Sequence, residues 1–267
     1  MNTGNYIYLY CITKEQPKLD TLEALADGLY LIPGNNLYAT VCNVSKNEFD
    51  EENLKHNLRD LEWLKSHAQR HEIIIEGIMK ETTVIPSKFA TVFFNEQNLQ
   101  SFLEKYAGDL KEKLDYLENK QEWGIKIYFD HEKLTPSILL ENEMILAIDN
   151  QINAASPGKA YFLQKKKTGL KAKAVEDGIV RYRKVFLELL QNFCVQTKIN
   201  EITPRQFTGR DEDMILNVAF LIEDDMVPKF IKQLNAFVSE SEFTAFGFHF
   251  ESSGPWPPYN FSQLTER

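Results

Sequence analysis

The decapeptide QEWGIKIYFD, residues 121–130, decides how this chain is divided and what its second half forms. Every second residue from Trp123 to Phe129 is large and apolar, so these side chains share one face of a β-strand. A long amphipathic pattern typical of a helix precedes this strand, and the order of elements changes after it. We therefore predict two domains, which comprise residues 1–120 and 121–267.

Downstream of this strand, the apolar pattern predicts further strands and helices. The predicted segments are helices at 135–155, 158–167 and 174–197, an extended piece at 201–207, a strand at 214–222, a helix at 227–238 and a strand at 243–251. The order is strand, long helical stretch, strand, strand, helix, strand. This is the split βαβ order of a ferredoxin-like domain with an enlarged helical insertion.

Upstream of the decapeptide, the sequence predicts an N-terminal α+β domain. Its predicted elements are strands at 6–12, 29–32 and 37–44, a short helix at 21–26, and long amphipathic helices at 60–78 and 99–117. The sequence PGNN, residues 33–36, predicts a turn between two strands. Asp60 is predicted to be the N-cap or an acidic residue of the first turn of the first long helix. The predicted fold class is α+β with two domains.

The composition is that of a globular protein in a reducing compartment. The chain has 267 residues, of which 43% are hydrophobic, and a formal net charge of −9. This charge disfavours a phosphate-binding surface and thus nucleic acid. The three cysteines are widely spaced, and the apolar run at 6–12 is too short for a membrane span or a signal peptide. We expect a cytoplasmic protein with no membrane partner.

The candidate catalytic and metal-binding motifs are all incomplete. His67 and His71 stand four residues apart, as metal-binding pairs do, but Ala68 replaces the zincin glutamate and no third Cys or His ligand lies nearby. The sequence SPGK, residues 156–159, lacks the first glycine and the Ser/Thr of a phosphate loop, so a helix break explains it better. No nucleophile elbow or glycine-rich nucleotide motif is present. The sequence predicts no enzyme, no cofactor and no metal site.

Two features favour a nucleic-acid-binding module as the alternative function. The sequence AFGFHF, residues 245–250, partly matches an RNA-recognition strand whose aromatic side chains stack on bases. The motif's opening basic residue and glycine are missing, and alternating phenylalanines also suit a buried strand. The second feature is a cluster of lysines, Lys165, Lys166, Lys167, Lys171 and Lys173. Such a cluster also suits a solvated helix end or a surface for an acidic partner.

Three tyrosines share one face of the first predicted strand. We call Tyr6, Tyr8 and Tyr10 the tyrosine ladder. Either a helix or a neighbouring domain covers this ladder, or the ladder is a surface for a partner protein. We retain the three residues as candidate partner-binding residues, which favours the first domain as the contact.

The segment GPWPPYNF, residues 254–261, follows the last predicted strand. Its prolines exclude a helix or an inner strand. Trp256, Tyr259 and Phe261 carry enough apolar area to contribute several kcal/mol on burial, at about 25 cal/mol per Å². We predict that these side chains form a structural clasp on the core of the second domain. A partner-facing role is the alternative.

Four segments together resemble one protein family. They are DLEWLKSHAQRHE (60–72), EWGIKI (122–127), SPGKAYFL (156–163) and GPWPPYNF (254–261), in this order over nearly the whole chain. In these segments the chain resembles the gas vesicle protein GvpF/GvpL family. One departure is PSKFAT, residues 86–91, where the family pattern is similar to Pro-Leu-Arg-Phe-Gly-Thr. The missing arginine puts a contact role of this loop in doubt.

The resemblance implies a non-enzymatic accessory or minor structural protein of gas vesicles. Members of the family are thought to bind the small, very hydrophobic shell protein, to limit its aggregation and to assist vesicle nucleation, alongside other accessory proteins. The expected location is the cytoplasm and the gas vesicle. Such a binder covers an apolar patch or pairs an exposed strand edge, for which strand addition is one mode.

Overall fold

The chain divides into two units, which differ from the predicted domains at the C-terminal end. The structure, a computed structural model, describes residues 5–20, 22, 28–140, 142–239 and 247–264. Unit 1 comprises Met1–Glu122 and Pro255–Arg267, and unit 2 comprises Trp123–Gly254. The prediction that residues 255–267 belong to the second domain is wrong, because Tyr259 packs against the core of unit 1.

Unit 1 is built on a five-stranded antiparallel sheet. Its strands are β1 (Asn5–Thr13), β2 (Leu29–Gly34), β3 (Leu37–Ser45), β4 (Val84–Pro86) and β5 (Val92–Phe93). The order is β2-β3-β1-β4, and β5 also pairs with β1. Asn35 and Asn36 both have positive φ between paired Gly34 and Leu37. A two-residue type I′ hairpin requires these angles, so the predicted turn is present.

The helices of unit 1 lie between and after these strands. They are α1 (Lys46–Phe49), α2 (Glu51–Asn57), α3 (Leu61–Met79), α4 (Glu96–Lys105) and α5 (Ala107–Leu117). Asp60 caps α3 as predicted, since its carboxylate accepts hydrogen bonds from the N–H groups of Glu62 and Trp63. The single helix predicted at 99–117 is wrong, because the backbone leaves helical geometry at Tyr106. Gly108 lowers the helix propensity beside this break.

The second sheet has the strand order of a ferredoxin-like domain. It consists of β6 (Lys120–Phe129), β7 (Gln196–Ile199), β8 (Asp213–Glu223) and β9 (Phe248–Trp256), in the order β7-β8-β6-β9. The first crossover connects β6 to β7, and β8 lies between these two strands in the sheet. The second crossover connects β8 to β9, and β6 lies between them. Each crossover therefore spans one inserted strand, as a split βαβ requires. β7 and β9 are the edge strands.

The helices of unit 2 supply most of its enlarged first crossover. They are α6 (His131–Leu140), α7 (Glu143–Asn153), α8 (Pro157–Gln191), α9 (Arg205–Thr208) and α10 (Val227–Ser239). α8 is one helix of 35 residues, whereas two helices were predicted. Lysine, leucine and alanine around Gly169 are strong helix formers, which outweigh the glycine. Phe186, Phe220 and Phe230 are fully buried in the core of this unit.

Two predicted segments fall on residues that lie outside the described ranges. These are the short helix at 21–26, of which only Leu22 is described, and the first residues of the strand at 243–251. The described strand β9 begins at Phe248. Across the described residues, the mixed α+β class predicted from the sequence is confirmed.

Candidate functional site

The tyrosine ladder is largely covered. Tyr8 and Tyr10 are only 4% and 3% exposed. Both belong to the core of unit 1, together with the buried isoleucines of α3. The prediction that Tyr8 and Tyr10 contact a partner is therefore corrected, because α3 occupies the face that a partner would need. Tyr6 is half-buried and stays a prediction.

Tyr8 and His71 form a buried chain of hydrogen bonds. The backbone N–H of Ala90 donates to the Tyr8 hydroxyl (3.0 Å), which donates to His71 Nδ1 (2.9 Å). His71 Nε2 lies 3.2 Å from the Ser87 carbonyl oxygen and donates to it. These contacts are those of a neutral imidazole with its proton on Nε2. Both ring nitrogens are thus engaged by the protein itself.

His67 is held in a separate arrangement on the same helix. Its Nδ1 lies 2.8 Å from the Trp63 carbonyl oxygen, and its Nε2 lies 3.1 Å from a Glu48 carboxylate oxygen. Its ring also stacks on the Trp63 indole, with the ring centres 4.0 Å apart. Within the described ranges, no group of three or more His, Cys, Asp or Glu side chains is placed to hold a metal ion.

Burial makes His71 a source of pH-dependent stability. Desolvation of the imidazolium lowers its pKa from the ordinary 6.5 to about 4. As the pH falls below 6.5, the unfolded chain takes up this proton before the folded chain does, so stability is lost between pH 6.5 and 4. From pH 7 to pH 5, we expect His71 to lower the free energy of unfolding by about 2 kcal/mol. Denaturant titrations of the wild type and His71→Gln at both pH values measure this.

The variant should be less stable at both pH values but should lose less stability on acidification. Burial raises the pKa of Glu72 and Glu122, and this has the opposite effect on the pH dependence. These two groups are common to both proteins, so their contributions cancel in the comparison. Equal losses in the two proteins would show that His71 is already charged in the fold or is solvated.

A cavity of about 170 Å³ lies beside the tyrosine ladder. Its lining includes Tyr10, Cys42, His67 and Arg70. The Tyr10 hydroxyl lies 3.4 Å from Cys42 Sγ, and burial raises the pKa of both groups. The Arg70 Nε–H is buried and finds no hydrogen-bond partner among the described residues. The cavity therefore offers the Arg70 guanidinium as a hydrogen-bond donor to a small polar group. The Cys42 thiol stays protonated at neutral pH.

The C-terminal segment, residues 255–264, is anchored to unit 1. Phe261 is buried, and the Tyr259 ring packs against the unit 1 core. The Tyr259 hydroxyl donates to Glu72 (2.9 Å). Asn260 donates twice to the Glu122 carboxylate, from its backbone N–H (3.0 Å) and from its side-chain amide (2.6 Å). The prediction that this segment packs on the core of the second domain is therefore wrong, because Tyr259 packs on the core of unit 1.

The three predicted clasp residues also differ in exposure. Phe261 is buried and Tyr259 is half-buried, whereas Trp256, the last residue of the edge strand β9, is 37% exposed. A turn follows β9, in which the N–H groups of Phe261 and Ser262 both donate to the Pro258 carbonyl oxygen.

The phenylalanines of the suspected RNA-recognition strand are core residues. Phe248 is buried and Phe250 is half-buried, and both meet Phe186 edge to face at 5.2 Å. Rings that pack in a core are not available for base stacking. Ala245 and Phe246 lie outside the described residues. The aromatic surface on which the nucleic-acid alternative depends is therefore not supported.

Among the described residues, no strand pairs with the outer side of β7. β7 pairs with β8 through Gln196 opposite Leu221 and the following residues, and it is the outermost strand of its sheet. The Asn200 N–H donates to the Asn217 carbonyl oxygen (2.8 Å). By antiparallel alternation, the N–H and C=O groups of Thr197 and Ile199 point away from β8. They are placed to receive another strand.

Exposed apolar side chains accompany this strand edge. They are Val195, Ile199, Ile202 and Phe207, and we call these four the apolar edge. Phe207 alone is 73% exposed. The sequence pattern did not predict this surface: it predicts a helix up to residue 197 and an extended piece at 201–207, whereas α8 ends at Gln191 and β7 spans Gln196–Ile199. In the sequence, these four apolar residues stand singly among polar neighbours. Their spacing matches neither the period of a buried helix nor that of a buried strand.

None of the helices in the described residues has both the length and the apolar character needed to cross a membrane.

Comparisons with known proteins find one family over nearly the whole chain. The family model described as "Gas vesicle synthesis protein GvpL/GvpF" matches residues 6–263. Gas vesicle protein L of a Streptomyces species is 25% identical over 277 aligned residues, which cover 100% of this chain and 96% of that protein.

Two solved structures share the fold. The crystal structure of GvpF from an Anabaena species has a TM-score of 0.71 at 16% identity, and covers 98% of this chain and 100% of its own. The crystal structure of GvpF from Microcystis aeruginosa has a TM-score of 0.66 at 20% identity, with 97% and 99% covered. The chain therefore belongs to the GvpL/GvpF family of gas vesicle synthesis proteins and has a role in gas vesicles.

Proposed function

We propose that this protein is a non-enzymatic assembly factor that binds the small hydrophobic shell protein of gas vesicles, limits its aggregation and assists nucleation. Family membership supports the connection with gas vesicles. The observation that carries the binding role is the apolar edge beside the outward-facing backbone of β7. In this proposal, an extended strand of the shell protein adds to β7 and packs against Val195 and Ile199.

The physical need for such a binder follows from the shell protein's surface. A subunit that will meet gas exposes apolar area and strand edges, and both aggregate in water. The outward-facing N–H and C=O groups of β7 pair with an exposed strand edge of the shell protein. The apolar edge of this protein covers part of the shell protein's apolar side chains. Because β7 has four residues, the added ladder is short, which suits release to a growing shell. Lys198 in its centre disfavours pairing between two copies of β7.

The buried polar groups of unit 1 support a structural role in place of catalysis. Burial raises the pKa of Tyr8 and Cys42 and lowers the pKa of His71. In each case the neutral form is favoured at neutral pH. A general acid or base instead needs a pKa near the working pH. These groups are therefore suited to packing and hydrogen bonding.

Replacement of Thr197 by proline tests the proposed strand addition. The Thr197 N–H points outward, so proline removes a donor to the added strand and leaves the ladder with β8 intact. One backbone hydrogen bond contributes about 0.5–1.5 kcal/mol, so we expect Thr197→Pro to bind the shell protein about two- to tenfold more weakly. Co-purification with the shell protein and light scattering during its aggregation measure the effect.

Thr197→Ala is the matched control. It removes the same hydroxyl, which lies 3.3 Å from Cys194 Sγ, but it keeps the backbone N–H. Ile199→Ser should weaken binding as well, because it removes part of the apolar edge. Equal binding by the proline and alanine variants would rule out strand addition at β7. Failure of the wild-type protein to bind the shell protein would overturn the proposed function.

A further inference from the structure

The N-terminal half of α8 carries a face that the core of unit 2 does not use. α7 packs against one side of this half, where its Ile145 and Ile148 are buried. On another side, Tyr161 and Phe162 are 68% and 73% exposed, and their rings meet edge to face at 5.8 Å. Adjacent exposed aromatic side chains are unusual on a helix in water and mark an interaction surface.

The same part of α8 is strongly basic. Between residues 150 and 175 the sequence has six lysines and no acidic residue, although the net charge of the chain is −9. Lys159, Lys166 and Lys173 follow at intervals of seven residues, which is close to two helical turns, so they share one face. Phe162 lies three residues after Lys159 and four before Lys166, on this face.

These lysines are available to a partner. Lys167 forms an ion pair with Asp149, but Lys159, Lys166 and Lys173 form none with the residues that the structure describes. Three like charges on one face repel one another, and an acidic partner would relieve this repulsion. The three lysines therefore favour a partner with negative charge.

Gly169 leaves a gap between the side chains of this face, because glycine has no side chain. It lies seven residues after Phe162, inside α8, where glycine weakens a helix. A Cβ added at Gly169 would meet nothing within 4 Å, so no described neighbour requires the glycine. The spacing of three and four residues is that of a seam between two helices, and glycine lets a second helix approach closely. We call Lys159, Phe162, Lys166, Gly169 and Lys173 the basic stripe.

We propose that the basic stripe binds an acidic amphipathic helix of a protein partner. The lysines require acidic side chains, Phe162 requires apolar ones, and the period of seven residues requires a helix. A second copy of this stripe does not fit, because lysine would face lysine. Nucleic acid also carries negative charge, but the acidic remainder of the protein repels a polyanion. This inference does not depend on shell-protein binding at β7.

A synthetic three-heptad peptide with leucine at positions a and d and glutamate at e and g is the probe. Its affinity for the full-length protein is measured by fluorescence anisotropy at two salt concentrations. The triple variant Lys159→Gln, Lys166→Gln, Lys173→Gln should bind about tenfold more weakly, since each exposed pair contributes a few tenths to one kcal/mol. Phe162→Ser should also weaken binding. Shell-protein binding should be unchanged in both variants.

The matched control is the triple variant Lys126→Gln, Lys229→Gln, Lys232→Gln, which makes the same charge change on exposed lysines of β6 and α10 in unit 2. Its affinity for the peptide should change less than about threefold. Equal losses of peptide affinity in the two triple variants would show that net charge alone causes the effect, and this would overturn the proposal. A scrambled peptide of equal composition that bound as tightly, or a single-stranded RNA of equal charge that bound more tightly, would overturn it as well.

Discussion

Removal of residues 255–267 should lower the free energy of unfolding of unit 1 by at least about 4 kcal/mol. Phe261 is 3% exposed, and loss of a buried phenylalanine side chain costs about 3–5 kcal/mol. The deletion also removes both Asn260 hydrogen bonds to Glu122, a carboxylate that is 4% exposed. A buried acceptor left without its donors costs about 1–3 kcal/mol more. Denaturant unfolding followed by tryptophan fluorescence measures the loss.

Binding of the shell protein should survive this truncation at temperatures where the protein stays folded, because the apolar edge lies in unit 2. Asn260→Ala should cost about 1–3 kcal/mol, whereas Gln263→Ala, at an exposed position of the same segment, should stay within about 0.5 kcal/mol. An unchanged melting temperature combined with lost shell-protein binding would show that the segment faces the partner instead.

The parts of the fold that were predictable rest on local signals. The alternation from Trp123 to Phe129 identifies a strand, because neighbouring side chains of a strand face opposite sides whatever lies around them. Asp60 identifies a helix start, since its carboxylate reaches N–H groups only two and three residues away. The order of such elements then restricts unit 2 to few topologies, and the split βαβ order is among them.

The parts that were not predictable depend on contacts between distant residues. Tyr8 is polar enough for a surface, and its burial depends on His71, 63 residues away in the sequence, as its hydrogen-bond partner. Tyr259 bonds to Glu72 across 187 residues, and nothing in GPWPPYNF indicates which core it joins. Unit 1 is therefore completed by a segment that follows unit 2 in the chain. The apolar edge was missed because exposure, unlike burial, leaves no period in the sequence.

Phe186→Ala should strongly destabilise unit 2. The Phe186 ring is fully buried and meets Phe237, Phe248 and Phe250 edge to face at 5.0–5.2 Å. Its truncation should cost about 3–5 kcal/mol, because it leaves a cavity and removes aromatic contacts from α10 and β9.

Val185→Ala is the matched control for this substitution, since the neighbouring Val185 is 41% exposed and should cost no more than about 0.5 kcal/mol. Hydrogen exchange should show faster opening of β8 and α10 in Phe186→Ala but not in Val185→Ala. Shell-protein binding should fall with the loss of folded unit 2, because β7 depends on β8 for its position. A cost below about 1 kcal/mol would mean that Phe186 does not fill the core as described, since collapse around a cavity rarely recovers that much.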